Sequence, residues 1–423
     1  MAKLIKFPSG LSVCYEKMKA GSCAFGMFVN AGSRNEGEDD NGVAHFIEHM
    51  LFKGTEKRTA YDIANETDNL GVNSNAYTSK SNTVFYFSGL AKFLPEYMDL
   101  MSDMLFNSTF SDECIFREKG VVLEEIRMYD DEGDSLCTDL LCLKYFGKDK
   151  LARPILGTEK TVRALNEKKI REFMKKYYVP QNICLSYAGP AKEEELKALV
   201  EKYFESEFVK RGGEFTEIKY KKTKTRAGFV HNFDKPFEQA NVIIRFPGYT
   251  IKEKPADAAS VLGIIMGSGM SSRLFNKVRE ELGLVYEIYA NSVSIKGAGY
   301  MDIGFATEPN LVVSAIKAIR EVIEEIRKDG LTKEEFEKAK ILRETNSVLL
   351  AETTFDVMRL MGRCYCLTGK PQTFKSLLKE MEKIKLEDVV NAFHKIFDYD
   401  KAMVCYVGKK IDTDLADLLK IGG

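Results

Sequence analysis

Tryptophan does not occur in this chain, and histidine occurs only four times, as His45, His49, His231 and His394. Neither charge sign is in surplus: 62 Lys and Arg stand against 63 Asp and Glu, a net charge of -1. That balance removes any bulk electrostatic reason to bind nucleic acid or an anionic membrane. The basic run at 219–226 is too short and too poor in aromatics to supply one locally. No stretch approaches the roughly 18 apolar residues of a membrane span. The start, MAKLIKFPSG, lacks the apolar run of a secretory signal. The nine cysteines are odd in number and form no Cys-x-x-Cys pair. Without a signal they read as reduced, buried thiols of a cytoplasmic protein. Gly267-Ser268-Gly269 is not followed by Gly-Lys-Ser/Thr, which excludes a phosphate-binding loop.

What is present is globular. The 423 residues are 44% hydrophobic and 30% charged, enough apolar material for large cores in about two to four domains. Residues 3–15 read as a hairpin turning at Pro8-Ser9-Gly10, and 22–29 as a further strand. Helices are expected at 42–53, 59–70, 94–107 and 111–129, with strand character over 74–90. Two distant segments match without a gap: 165–200 lies on 384–419 at a constant offset of 219. Ile170 meets Val389, Tyr178 meets Phe397, Gly189 meets Gly408 and Leu196 meets Leu415. Each reads helix, turn, strand, Gly, helix, and each closes one half of the chain, as a duplicated domain would. Arg211-Gly212-Gly213-Glu214 and the polar run after it mark a linker, placing the halves at 1–211 and 212–423. The first half, so bounded, is expected to fold by itself. Hairpin strands mixed with long helices give an α+β fold for each half.

The sharpest chemical signal is His45-Phe46-Ile47-Glu48-His49. On a helix, residues four apart share a face, so His45 and His49 can present two imidazoles to one ion. Imidazole suits zinc, and a catalytic zinc takes three protein ligands and keeps a position for water. Glu48 falls beside that water and can serve as general base. The apolar flanks Val43, Ala44, Phe46, Ile47, Met50, Leu51 and Phe52 bury such a helix, and buried polar groups need partners. A third ligand should be a carboxylate or histidine. The expected helix over 111–129 offers Glu118, Glu124 and Glu125. Glu118 and Glu125 lie two turns apart on a face shared with Val121 and Val122, while Glu124 is rotated away.

These residues resemble peptidase family M16, zinc metallopeptidases with the inverted His-x-x-Glu-His motif that include pitrilysin, insulin-degrading enzyme and the mitochondrial processing peptidase. The resemblance covers both halves and is nearest in length to the processing-peptidase branch. It implies Glu125, within VVLEEI, as the third zinc ligand, and Glu118 as the carboxylate that orients a ligating imidazole. It implies that Asn75-Ala76-Tyr77-Thr78 is an edge strand beside the zinc, with Asn75, Ala76 and Tyr77 contacting substrate. Arg279 and Tyr286, seven apart, match an Arg and Tyr that complete the site in active members, the first holding a carbonyl or carboxylate and the second donating to the oxyanion. The implied fold is two homologous α+β halves, each a mainly antiparallel sheet packed with helices, facing each other around a cavity. The implied activity is hydrolysis of extended peptides or unfolded segments by a zinc metalloendopeptidase with one Zn2+ per chain, working as a homodimer; charge, hydropathy and cysteines add the expectation of a cytoplasmic protein with neither nucleic-acid nor membrane partners. A dedicated maturation protease for one peptide product and a non-catalytic subunit of a processing complex are the alternatives.

Overall fold

The computed structural model describes residues 2–213, 215–235 and 237–420. Glu214, in the expected linker, lies outside the described residues. The chain forms two compact units. Unit 1 comprises Met1–Ile126, Arg153–Ile218 and Ser347–Leu377, and unit 2 comprises Arg127–Ala152, Lys219–Asn346 and Leu378–Gly423.

Unit 1 is built on strands β1 (Lys3–Lys6), β2 (Ser12–Lys17), β3 (Ser22–Val29), β4 (Asn73–Thr78), β5 (Thr83–Leu90) and β6 (Ile183–Gly189). Their order is β1-β2-β6-β3-β5-β4, all antiparallel except the β2/β6 pair. Unit 2 is built on β7 (Gly228–Asn232), β8 (Ala240–Pro247), β9 (Glu287–Ile295), β10 (Ala298–Thr307) and β11 (Met403–Val407). Their order is β7-β11-β8-β10-β9, again with one parallel pair, β7/β11. Removing β1 from the first sheet leaves the topology of the second. The internal match at offset 219 is therefore a matter of architecture. Ile170 and Val389, and likewise Leu196 and Leu415, are fully buried at equivalent places in the two cores.

The long apolar strands have a reason. β3 reads SCAFGMFV, and its alternate residues face opposite ways. Phe25, Met27 and Val29 enter the main core with the helices Val43–Met50 and Leu94–Asn107. Ala24 and Phe28 enter a second core on the other face. A sheet covered on both faces needs apolar residues at both parities.

The helix on that second face comes from the far end of the sequence. It is Thr354–Thr368, whose Val357, Met358, Met361 and Cys366 pack on Cys14, Ala24, Phe28, Val84, Cys184 and Ala188. Gly26 and Gly362 allow the close approach, since a Cβ at either would strike Met358 or the Phe28 ring. Ser186 Oγ donates to the Met358 carbonyl at 2.7 Å. Unit 2 makes the reciprocal arrangement. Its second face is covered by Gly133–Phe146, with Cys137, Leu141, Cys142 and Tyr145 packed on Val230, Ile243, Met403 and Cys405. Buried there, Arg245 makes a bidentate pair with Asp302 at 2.7 Å and lies 3.8 Å from the Tyr300 ring.

The units therefore differ from the consecutive stretches 1–211 and 212–423: each takes one covering helix from the other half of the sequence. A cut at Gly212 would uncover one face of the first sheet, against the expectation that 1–211 folds alone. The reason is physical. An amphipathic helix specifies that it covers a sheet, and a duplicated chain offers two equivalent sheets. Among the described residues, no helix is long and apolar enough to cross a membrane.

Candidate metal centre

The helix Val43–Met50 begins at Gly42, which has φ 95 and no side chain with which to cap its own helix. A Cβ there would lie 2.6 Å from the Leu156 carbonyl oxygen, so the position requires glycine. The missing cap is supplied by Glu36, six residues earlier and 1% exposed. Its carboxylate accepts from the Gly42 and Ala44 backbone N–H groups at 2.8 and 2.9 Å and from Asn41 Nδ2 at 2.7 Å. The two backbone N–H groups are otherwise orphaned donors of a helix start. Burial pushes Glu36 up to about 7 against the pull of those donors. Glu36 is not legible in the sequence, because a cap reaching from outside the helix leaves no local pattern.

Phe46, Ile47 and Met50 anchor the helix in the main core. His45 and His49 then turn their Nε2 atoms toward each other, 3.2 Å apart. Glu125 comes from the helix Asp112–Asp131, and its Oε2 lies 3.6 Å from His45 Nε2 and 3.5 Å from His49 Nε2. Tetrahedral zinc bonds of 2.0–2.1 Å imply donor separations of about 3.3 Å. The three donors stand at that spacing before any ion is considered, so the residues fit the metal. Glu124, one residue earlier, is exposed on the other side. On the same helix Val122 is fully buried but Val121 is 51% exposed, so the shared face is narrower than expected and centres on the Glu118–Val122–Glu125 line.

Glu118 is 4% exposed. Its Oε1 lies 2.7 Å from His49 Nδ1, and its Oε2 lies 2.9 Å from Lys53 Nζ. With Nδ1 carrying the proton toward Glu118, His49 Nε2 is left as a bare donor atom. Burial works to raise Glu118, yet the hydrogen bonds from His49 and Lys53 hold it below the usual carboxylate range. Burial would likewise lower His49, but the Glu118 hydrogen bond and the surrounding carboxylates raise it. Burial, helped by neighbouring His49, pushes His45 down to about 3, so its imidazole is neutral. Its Nδ1 is buried without a hydrogen-bond partner among the described residues.

Glu48, on the same helix, is raised by burial, while His49 and a hydrogen bond from Thr78 pull it down. Thr78 Oγ1 donates to Glu48 Oε2 at 2.7 Å. Thr78 closes β4, which is one of the two outer strands of its sheet. Asn75 is exposed there, and its Oδ1 accepts from the Ala76 N–H at 2.7 Å. The Tyr77 ring packs against the second core.

Arg279 and Tyr286 form a pair of their own in unit 2. Arg279 sits on the π-helical turn Phe275–Glu281, with its guanidinium 4.5 Å from the Phe275 ring and 5.3 Å from the Tyr286 ring. Tyr286 is 79% exposed immediately before β9, which excludes a core role.

The chain has relatives among known proteins. The family description "Insulinase (Peptidase family M16)" matches residues 12–159, which hold His45, His49, Glu118 and Glu125. The "Peptidase M16 inactive domain" matches residues 164–342. A Bacillus subtilis protein named as an uncharacterized zinc protease, YmxG, is 34% identical over 385 residues, covering 90% of this chain and 92% of its own. A Streptomyces coelicolor protein named in the same terms is 32% identical over 386 residues, covering 90% of this chain and 84% of its own. In fold, the chain is similar to a protease from Helicobacter pylori, with TM-score 0.89, 20% identity, and coverage of 96% of this chain and 99% of that one. It is also similar to a chain of Complex III2 from Candida albicans, with TM-score 0.85, 17% identity and 99% coverage of both. Two matched domains in the right order, and relatives aligned along nearly their whole length, place this chain in peptidase family M16.

Proposed function

We propose that this protein is a zinc metalloendopeptidase that cleaves extended peptides or unfolded segments. The observation that carries the reading is the triangle of His45 Nε2, His49 Nε2 and Glu125 Oε2 at 3.2 to 3.6 Å, with Glu48 on the same helix. The names of the 34% and 32% identical relatives support zinc as the metal and proteolysis as the reaction. When bound, zinc supplies a Lewis acid that polarises a peptide carbonyl and acidifies water. Glu48 takes the proton of the attacking water at its carboxylate and passes it to the departing amine. Its burial raises its basicity, and Thr78 fixes its rotamer. Glu118 keeps the His49 proton on Nδ1. The outer position of β4 supports substrate recognition by strand addition, in which main-chain bonds at Asn75–Thr78 accept any sequence that can lie extended. The half-buried Arg279 and the exposed Tyr286 are assigned to substrate, as cation and as hydroxyl donor.

A chain that carries both the donor set and the Arg279/Tyr286 pair has no need of an active partner, which supports a homodimer over pairing with an inactive homologue. The test is hydrolysis of a quenched peptide library by chelator-stripped protein, with zinc returned in steps. Activity should rise to a plateau at one zinc per chain. A zinc-loaded chain that cleaves no peptide overturns the reading.

A further inference from the structure

Lys53 is the fourth residue after His49, just past the end of the motif helix. The chain continues to turn there: Phe52 N–H donates to the His49 carbonyl at 3.2 Å and Lys53 N–H to the Met50 carbonyl at 3.1 Å. This carries the Lys53 side chain to the side of His49. The Lys53 carbonyl accepts from Cys114 Sγ at 3.7 Å, and Cys114 lies one turn before Glu118 on its helix. Lys53 is thus tied by its backbone to the helix whose carboxylate its ammonium meets.

That carboxylate has two oxygens and two protein partners. Glu118 Oε1 faces His49 Nδ1 at 2.7 Å and Oε2 faces Lys53 Nζ at 2.9 Å. The Glu118 side chain is 5% exposed and that of Lys53 36%. An exposed ion pair would be worth little. A buried carboxylate is different, because removing its cation leaves a charge with one anchor and freedom to rotate. No motif considered in the sequence extends to this lysine.

We propose that Lys53 is a positioning residue of the metal centre: its ammonium fixes the Glu118 carboxylate so that Glu118 holds His49 with Nε2 aimed at the metal. The proposal rests on the reading of His49 as a zinc donor. It makes the working unit His-x-x-Glu-His-x-x-x-Lys closed by one glutamate of a distant helix. Lys53 touches neither metal nor substrate and acts only through Glu118.

The test is zinc affinity of the full chain, measured by competition with a chromophoric chelator, for wild type, K53M, K53R, E118Q and the double variant K53M/E118Q. Thermal melts of each establish that it folds. K53M should bind zinc about tenfold more weakly, at the low end of the 10–100-fold range for groups that hold ligating imidazoles, and E118Q should fall inside that range. K53R should recover most of the loss. In the E118Q background, K53M should cost less than about twofold, because the group it acts through is gone. Unchanged affinity in K53M, or an equal loss in both backgrounds, overturns the proposal while leaving the zinc reading in place. A folded wild-type chain that takes up no zinc overturns both.

Discussion

Residues 1–211, produced alone, contain every proposed metal donor and all six strands of the first sheet. They lack Thr354–Thr368, which covers the second face of that sheet. Phe28 and Val84, now 0% and 1% exposed, would face water, as would Cys14, Ala24, Cys184 and Ala188. Each of the two large side chains forfeits about 1.5–3 kcal/mol and the four small ones less, together on the order of 6 kcal/mol. Whole domains are stable by only about 5–15 kcal/mol. The fragment should therefore be unfolded or molten near neutral pH, with dye-binding apolar surface and no sharp melt. The assay is near-ultraviolet circular dichroism with a urea titration, on the fragment alone and with a peptide spanning 347–377 added in trans. The peptide should restore a cooperative transition whose midpoint rises with its concentration. A lone 1–211 fragment with native near-ultraviolet signal, a cooperative transition and no dye binding would refute the argument that the late helix completes this unit.

Glu48→Gln should retain about one zinc per chain, since it removes no donor and glutamine can still accept from Thr78, while hydrolysis falls by about 10²–10⁴. Glu125→Gln should lower zinc affinity as well; a metal site emptied by the first variant and left full by the second reverses the two roles. Tyr286→Phe should lower kcat by about 10² with zinc content unchanged, because it removes a hydroxyl donor and no metal donor; unchanged kcat on a quenched peptide removes Tyr286 from the mechanism. Glu36, pushed up from 4.5 to about 7 by burial, has the higher pKa in the folded state. Its contribution to stability is therefore full below pH 4.5 and is lost as pH rises through 7, a difference of about 2 kcal/mol between pH 5 and 7.5. Urea midpoints of wild type and Glu36→Gln at those two pH values should show the slope flattened in the variant; an identical slope would mean that Glu36 does not titrate there.

The sequence by itself determined the local chemistry. The four-residue spacing of His45 and His49 puts both imidazoles on one helical face, whatever that helix packs against. The seven-residue spacing of Glu118 and Glu125 does the same on a second helix, and the match of 165–200 with 384–419 announces two sheets of one topology. These are short-range periodicities, and periodicity survives in one dimension. Only the tertiary structure decided what else reaches the site: Lys53 on the second oxygen of Glu118, Thr78 on Glu48, and Glu36 on the start of the motif helix. It alone decided that Gly133–Phe146 covers the second sheet and Thr354–Thr368 the first. An apolar helix face records that it must be buried, but burial is non-directional and carries no address. In a duplicated chain with two equivalent sheets, the choice falls to close contacts such as Gly26 with Met358 and Gly362 with Phe28, which exist only once the chain is folded.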